Sequence, residues 1–311
     1  MSQNLTRAYL GVSFAIIGWG LSTTFVEFGL EFISPLPFLT LRFITATAII
    51  GPVVMATRWP EVKELLLNGN IWLIAIFEVT GLIFQYIGQQ SVPAGLSSLL
   101  TMMNILLVPF LAQLVLKEKL QLSNIMAVLL GILGVMSIMT ETNQINGMET
   151  GQLFFYGVLF LLGSATSYAC YQIATKRTTS VTNPDIDILS LFFVVMSLIS
   201  LMSLSITVIL SNFQIESFLD FQSAAWLWIF LLAIFSTIIA FMGHFESTKG
   251  VQANVLSVLL LFQFVIPVII DVLFLGVEYG LPTIIGSGLI IFAMVLVVYV
   301  PFRNERKALI V

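Results

Sequence analysis

Ionisable side chains stand inside long apolar stretches at five places in this 311-residue chain: Glu27, Arg42, Glu78, His244 and Asp271. An ionisable group is costly to bury in an apolar stretch, so each is a candidate for ligand binding or proton transfer. Arg42, in the segment LPFLTLRFIT (36–45), could hold a carboxylate through two parallel hydrogen bonds. The structural alternative, which we favour from the sequence, is an ion pair with Glu27 or Glu31 that holds two neighbouring helices together.

Glu78 begins a polar stripe. Glu78, Gly81, Gln85, Gly88 and Gln89 recur at spacings of three or four residues, so they share one face of a helix. Burial favours the neutral form of a carboxyl group, which suits a side chain that takes up and releases a proton. In the alternative interpretation Glu78 is a protonated acid that only hydrogen-bonds a neighbouring helix.

The remaining ionisable residues lie close to the ends of their apolar stretches. Asp271 continues a helix face with Gln263, Glu27 is near the end of the first stretch, and His244 is a residue that titrates near neutral pH. Hydration at a membrane interface is the plainer explanation for each of them. The candidates for proton coupling or gating are Glu78, Asp271, Arg42 and Glu27.

A larger set of polar and aromatic residues recurs along the apolar stretches. Aromatic rings together with amides and hydroxyls suit a ligand of mixed apolar and polar character. Packing and hydrogen bonds between helices are the structural alternative. The predicted substrate-binding residues are Trp19, Thr23, Glu78, Gln85, Thr101, Asn104, Tyr168, Tyr171, Gln172, His244 and Gln263.

The composition indicates which elements position these residues. Hydrophobic residues make up 59% of the chain and charged residues 9%, whereas a soluble domain carries roughly 25% charge. The apolar segments are near the length of about 20 residues that crosses a bilayer as a helix. They lie at about 8–29, 38–57, 71–90, 94–116, 123–140, 153–175, 187–210, 224–246, 251–275 and 281–301. The sequence therefore predicts an all-α integral membrane protein with ten spans.

The basic residues predict the orientation of these spans. With ten spans, eleven of the twelve Lys and Arg residues fall on one side, and Arg42 alone departs from the rule. Short cytoplasmic loops are enriched in Lys and Arg, so both termini are predicted to be cytoplasmic. Short loops and tails are typical of a multi-pass protein of the inner (cytoplasmic) membrane of a prokaryote.

The second half of the chain echoes the first. Segment 18–43 matches 166–192, with Trp19 opposite Tyr168 and Pro35 opposite Pro184, and segment 92–120 matches 251–281. Five spans in each half give the halves opposite orientations, an arrangement found in secondary transporters. We predict one five-helix repeat over 1–142, an inverted one over 150–303, a central cavity between them and a cytoplasmic tail over 304–311. Gly131, Gly134, Gly286 and Gly288 are predicted to let helices pack closely.

These features resemble the EamA-like family of the drug/metabolite transporter superfamily. The resemblance rests on the two five-helix repeats, on SPLPFLTLRF (34–43) and on Pro-containing helices that end in LKEKL or LGVEYGL. It implies a ten-helix basket whose cavity is lined mainly by spans 1, 3, 4, 6, 8 and 9. It also implies export of amino acids, other metabolites or amphipathic compounds. The second repeat departs from the first because Leu191 stands opposite Arg42.

The resulting functional hypothesis is a secondary transporter that exports an amino acid or amphipathic amine by alternating access. No P-loop, H-E-x-x-H or G-x-S-x-G motif occurs, so no enzyme activity is predicted. One cysteine and one histidine predict no metal site, and no cofactor or nucleic-acid partner is predicted. The predicted partners are the bilayer and a small substrate, with protons as a candidate coupling ion; passive facilitation and exchange are equally consistent with the residues. A nucleotide-sugar or other metabolite exchanger, a lipid-modifying enzyme and a sensor subunit remain alternatives.

Overall fold

In a computed structural model the chain is built from helices. The structure describes residues 3–117, 120–141, 151–178, 186–211, 221–248 and 259–308, and within these ranges there is no β-strand. The α-helices are α1 (Gln3–Leu30), α2 (Pro35–Leu66), α3 (Gly69–Gly88), α4 (Ala94–Thr101), α5 (Asn104–Leu116), α6 (Leu122–Met139), α7 (Gln152–Arg177), α8 (Ile188–Leu210), α9 (Ala225–Leu231), α10 (Ala240–Thr248), α11 (Val265–Leu273) and α12 (Leu281–Ala308). A π-helical segment, Leu232–Ile239, joins α9 to α10, and a 3-10 turn, Leu261–Phe264, precedes α11.

The described helices confirm the prediction of an all-helical protein that spans a membrane many times. Nine of them, with α4 and α5 joined as Ala94–Leu116 and α9 running through the π-helical segment to His244, are long and apolar enough to cross a bilayer. The ninth predicted span begins at residue 251, and its residues 251–258 lie outside the described ranges. Its described part is the shorter apolar stretch Leu261–Leu273. The predicted tail also lies in part outside, at 309–311, while α12 continues through residue 308.

Helix packing follows a twofold pattern that matches the predicted repeats. α1 packs along α10 and the π-helical segment, α3 packs along α7, and these two pairs exchange when one half is mapped onto the other. The pairs α2–α8, α4–α11 and α6–α12 each join a span to its own counterpart. Such pairing, with five spans in each half, is that of two inverted repeats around a common axis.

Glycine sets the closest of these helix contacts. A Cβ on Gly134 of α6 would lie 2.6 Å from the carbonyl oxygen of Gly286 in α12, so these two backbones touch as predicted. Gly131 instead accommodates the side chain of Leu106, and Gly288 faces open space. Gly11 and Gly243 bring the backbones of α1 and α10 equally close.

The helix directions define the two sides of the bundle used below. The termini side is where α1 begins and α12 ends, and the far side is where α1 ends and α12 begins. α2 is kinked near the termini side at Arg58 (φ −136°, ψ 21°), two residues before Pro60, whose ring prevents a regular helical hydrogen bond. α4 begins on the far side directly after Pro93.

Candidate functional site

Arg42 lies buried in the protein and is held by two hydroxyl groups. Its Nε donates to Thr237 Oγ1 at 2.9 Å and one terminal nitrogen donates to Tyr86 Oη at 3.1 Å. The guanidinium also lies over the ring of Phe43, 5.1 Å from its centroid. Thr237 donates its own proton to the carbonyl of Leu232 at 3.0 Å, so its oxygen presents a lone pair to Arg42. Arg42 is thereby fixed between α2, α3 and the π-helical segment.

The expected ion pair between Arg42 and Glu27 or Glu31 was wrong. Within the described ranges no carboxylate lies within 4 Å of Arg42, whereas Arg58 of the same helix forms a salt bridge with Asp187. The reason is packing: α2 lies against α8, α3 and the π-helical segment and barely touches α1. Arg42 therefore faces the interior of the bundle instead of the helix that precedes it.

Glu78 is buried in the same region of α3, with 7% of its surface exposed. Its Oε2 is buried and has no hydrogen-bond partner among the described residues. The side chain interacts electrostatically with Arg42 and with the hydroxyl groups of Tyr168 and Tyr171 on α7. Glu78 and Arg42 thus interact without forming an ion pair within 4 Å.

The stripe predicted on α3 faces α7 and α1. A Cβ on Gly81 would lie 2.7 Å from the ring of Tyr168, so the ring can pack there only because Gly81 has no side chain. Tyr168 Oη donates to Gln85 Oε1 at 2.6 Å, and Gln85 Nε2 reaches Gln89 Oε1 at 3.4 Å. Gln89 Nε2 then donates to the carbonyl of Thr23 at 3.0 Å. This chain of hydrogen bonds connects three helices beside Glu78.

Trp19 and His244 form an aromatic group at the contact between α1 and α10. The Trp19 ring lies 5.3 Å from Phe241 and 5.2 Å from His244, measured between ring centroids. The edge-to-face arrangement with Phe241 is a favourable aromatic geometry. These rings add apolar surface on the termini side of the cluster around Arg42 and Glu78.

The structure separates the other predicted binding residues from this cluster. Thr101 donates to the carbonyls of Ser97 and Ser98 within its own helix, so its hydroxyl is already used. Gln172 is exposed on α7, while Asn104 is half-buried at the start of α5. Gln263 lies in the 3-10 turn with a buried Oε1 that has no described partner.

The two residues that hold Arg42 were missed by sequence reasoning. Tyr86 follows Gln85 on α3 and is fully buried, and Thr237 lies in an apolar segment without a charged neighbour. The signal for Tyr86 was its position next to the polar stripe. Thr237 lies in a π-helical segment, a form that often marks functional positions but that the sequence does not reveal.

A second polar cluster lies on the far side, where α4 begins. Glu27 Oε2 of α1 accepts a hydrogen bond from the amide of Ala94 at 3.0 Å, and Asp271 Oδ2 of α11 accepts one from the amide of Gly95 at 2.7 Å. Tyr279 Oη also donates to Asp271 Oδ2. Burial and the neighbouring Asp271 carboxyl raise the pKa of Tyr279, so its hydroxyl remains a donor. Two of the predicted gating residues thus meet on consecutive amides.

The termini side has a charged contact of another kind. Arg58, at the kink of α2, forms a 2.8 Å ion pair with Asp187, and Asp187 caps α8 by accepting from the amide and hydroxyl of Ser190. Burial opposes ionisation of Asp187, but the bonds from Ser190 and the charge of Arg58 outweigh it, and the net effect lowers its pKa.

Neither of two cavities is lined by Arg42 or Glu78, whereas Gly95 and Tyr279 of the far-side cluster border the one between α4, α11 and α12. One of about 290 Å³, with an almost wholly apolar lining, is enclosed by α4, α11 and α12 around Leu96, Val268 and Ile291. The other, of about 190 Å³, lies between α3, α5 and α7 around Phe77 and Leu111. None of the predicted substrate-binding residues lines either of these two cavities.

The fold and the buried clusters define a class: a multi-pass membrane protein with two inverted repeats and ionisable groups between them. The model of the EamA-like transporter family matches residues 6–140 and again 155–299. The chain belongs to the EamA-like transporter family and is a transporter of the membrane-embedded kind.

Similar proteins carry transporter names. An uncharacterised transporter of Archaeoglobus fulgidus is 23% identical over 94% of this chain and 99% of its own length. A probable amino-acid metabolite efflux pump of Escherichia coli is 25% identical over 78% of this chain and 80% of its own length. A solved crystal structure covers 96% of this chain and 99% of its own, with a TM-score of 0.61 at 17% identity, which is a likeness of fold alone.

Proposed function

We propose that this protein exports a small metabolite, an amino acid or an amphipathic amine, by alternating access of its two repeats. The observation that carries the proposal is the pair Arg42 and Glu78, a buried guanidinium and a buried carboxyl group that share one cluster without bonding to each other. A zwitterion presents the complementary charges, a carboxylate for the guanidinium and an ammonium for the carboxylate.

The hydrogen-bonding capacity of the cluster supports this assignment. Arg42 has five N–H donors, and its described bonds to Thr237 and Tyr86 engage two of them. The remaining donors suit a carboxylate, which arginine binds through two parallel bonds. The Oε2 atom of Glu78 lacks a described partner and can accept from an ammonium group. The rings of Tyr168 and Tyr171 offer surface to the rest of the ligand.

The charge of the cluster disfavours a phosphate-bearing substrate. Arg42 is the one buried Lys or Arg among the described residues, and a doubly charged phosphate would normally engage more than one cation. The relatives in Escherichia coli and Salmonella typhimurium are named probable amino-acid metabolite efflux pumps, which agrees with the proposal. Exchange of nucleotide sugars is the alternative within the same superfamily.

The proposal includes an orientation. We infer that the protein lies in the cytoplasmic membrane with both termini inside, because the Lys and Arg residues concentrate on the termini side. Export then proceeds from the termini side to the far side. We place the repeats at 1–142 and 150–303, and we assign no catalytic residue.

Counterflow in proteoliposomes loaded with mixed amino acids tests the substrate assignment. We expect flux in the wild type and a loss of roughly 30-fold or more for Arg42→Gln, since removing one partner of a buried charge contact costs about 2 kcal/mol or more. Glu78→Gln should weaken binding of amino acids and of the corresponding amines alike. Arg42→Gln should spare the amines, which have no carboxylate.

Matched controls are available on the same helices. Arg58→Gln removes an arginine from α2 outside the cluster, and Glu31→Gln removes an exposed carboxylate from the turn after α1. Each should leave flux within about threefold of wild type, because exposed charges contribute little. Equal losses in Arg42→Gln and Arg58→Gln would contradict the assignment. Flux of nucleotide sugars without flux of amino acids would favour the exchanger.

A further inference from the structure

Two carboxyl groups from different halves of the protein meet at the start of α4. Glu27 binds the amide of Ala94 and Asp271 binds the amide of Gly95. Consecutive amide nitrogens are no more than about 4 Å apart, because three backbone bonds separate them. The two carboxyl groups are therefore held side by side, and together they tie α1 and α11 to α4.

No positive charge balances this pair. The titratable groups that face it are Glu31, in the turn directly after α1, and Tyr279, from the segment before α12, and neither is basic. Within the described residues no Lys, Arg or His lies within 4 Å of either carboxyl group. The start of α4 contributes the equivalent of roughly half a positive charge, which cannot offset two negative charges.

Asp271 also carries an atom that the protein leaves unused. The residue is fully buried, and its Oδ2 already accepts two hydrogen bonds, while Oδ1 is buried without a partner. A buried polar atom without a partner is unusual in a native protein and calls for an unseen ligand or proton. Two neighbouring carboxyl groups in such a site cannot both ionise, so one of them holds a proton.

We propose that Glu27 and Asp271 form a single proton-binding site that holds α1 and α11 on α4 while one proton is shared, and that releases them when the proton leaves. On release, the O–H bond of the protonated carboxyl breaks and the proton passes to water on the far side. The two negative charges then repel each other, and hydration of both carboxylates becomes favourable. The proposal deepens the proposed export function, because it supplies a coupling ion, but proton binding does not depend on the identity of the substrate.

Infrared difference spectroscopy of the full chain in liposomes tests the site directly. The C=O stretch of a protonated carboxyl group is distinct from that of a carboxylate. Loss of this signal as the pH rises therefore reports the release of the proton. We expect the wild type to lose such a signal, and Glu27→Gln and Asp271→Asn each to lack it. In either variant the amide supplies a hydrogen where the shared proton was and removes the like charge.

The controls separate this site from other carboxyl groups. Glu31→Gln should retain the signal, because Glu31 is exposed and makes no described bond to α4. Glu78→Gln should retain the part of the carboxyl signal that depends on Glu27 and Asp271. A titrating signal that disappears only in Glu78→Gln, or that persists unchanged in both Glu27→Gln and Asp271→Asn, overturns the proposal. A wild type without any such signal overturns it as well.

Amide hydrogen exchange of the wild type provides a test that needs no variant. After correction for the intrinsic rate, the amides at the start of α4 should lose protection over the same pH range in which the carboxyl signal disappears. Constant protection across that range would contradict the release of α1 and α11. If the carboxyl signal titrates as expected but the protein shows no amino-acid flux, the result would support the proton site and contradict the proposed substrate.

Discussion

The two sides of the bundle are joined by contacts of opposite electrostatic character. On the termini side, Arg58 and Asp187 are unlike charges with partly exposed side chains, 42% and 26% accessible. On the far side, Glu27 and Asp271 are like groups, largely withdrawn from solvent, that meet on the amides of α4. Both contacts connect the first half of the chain with the second.

With the proposed proton site, this difference predicts that the two sides respond to pH in opposite directions. The ion pair on the termini side needs an ionised Asp187 and weakens in acid. The proposed proton site on the far side needs a proton and weakens in alkali. A transporter with alternating access requires that one side loosen while the other holds, and proton availability supplies such an asymmetry.

The largest effect is expected when a steric clash pushes α4 and α11 apart on the far side, without a change of charge. In Gly95→Ala the new Cβ would lie 2.7 Å from Asp271 Oδ2 and 2.9 Å from the backbone of Val268, so α11 must move. We expect a destabilisation of about 1–3 kcal/mol, the usual cost of overpacking, measured as a lower melting temperature in detergent.

Gly69→Ala is the matched control for this substitution. Gly69 starts α3 with nothing within 4 Å of its added Cβ, so alanine there should be neutral or slightly stabilising. An unchanged melting temperature in Gly95→Ala would show that α4 and α11 are not held against each other as the structure indicates.

A smaller effect is expected on the termini side for Asp187→Asn. The pKa of Asp187 is lowered in the folded protein, so its stabilisation is present above the unfolded value of 3.8 and is lost as the pH falls through the lower folded value. We expect the variant to lose up to about 1 kcal/mol at neutral pH and nothing in strong acid. Hydrogen exchange in the first turn of α8 measures this.

The pH profile is what makes this test informative. If wild type and Asp187→Asn differ by the same amount at low and neutral pH, the charge of Asp187 plays no part. The start of α4 should show the opposite trend in the same experiment, which compares the two sides within one sample.

The smallest effect is expected for Arg58→Gln. The ion pair is partly exposed, and such pairs typically contribute less than about 1 kcal/mol. We expect a small drop in melting temperature that disappears in high salt, since salt screens exposed charges. A large drop that is independent of salt would mean that Arg58 stabilises the kink of α2 by packing, and the comparison of the two sides would need a different basis.

Much of the architecture was predictable because a membrane makes strong local demands. The spans followed from apolar length, and the repeat followed from the order of similar segments. The stripe of Glu78, Gly81 and Gln85 faces α7 together, as the helical period predicted. Glu27 and Asp271 were each recognised as gating candidates, but their meeting on one helix start was not predicted.

The sequence did not show which helices are neighbours in space, and the incorrect prediction for Arg42 came from this. Arg42 was expected to bind Glu27 or Glu31 because α1 precedes α2 in the chain, whereas it binds Tyr86 and Thr237. Gln172, predicted to bind substrate, is exposed on α7, and its role stays a prediction. A polar residue on a helix does not show from sequence alone whether its face meets another helix.

The sequence by itself determined which residues lie in the apolar interior, at what depth, and on which face of their own helix. Helical geometry, with 3.6 residues and 5.4 Å per turn, converts position in the chain into depth and direction. The tertiary structure alone decided that Arg42 and Glu78 share a cluster and that Glu27 and Asp271 meet on α4. Those contacts depend on which helix faces pack together, and many weak contacts along whole helices, rather than any local signal, determine that packing.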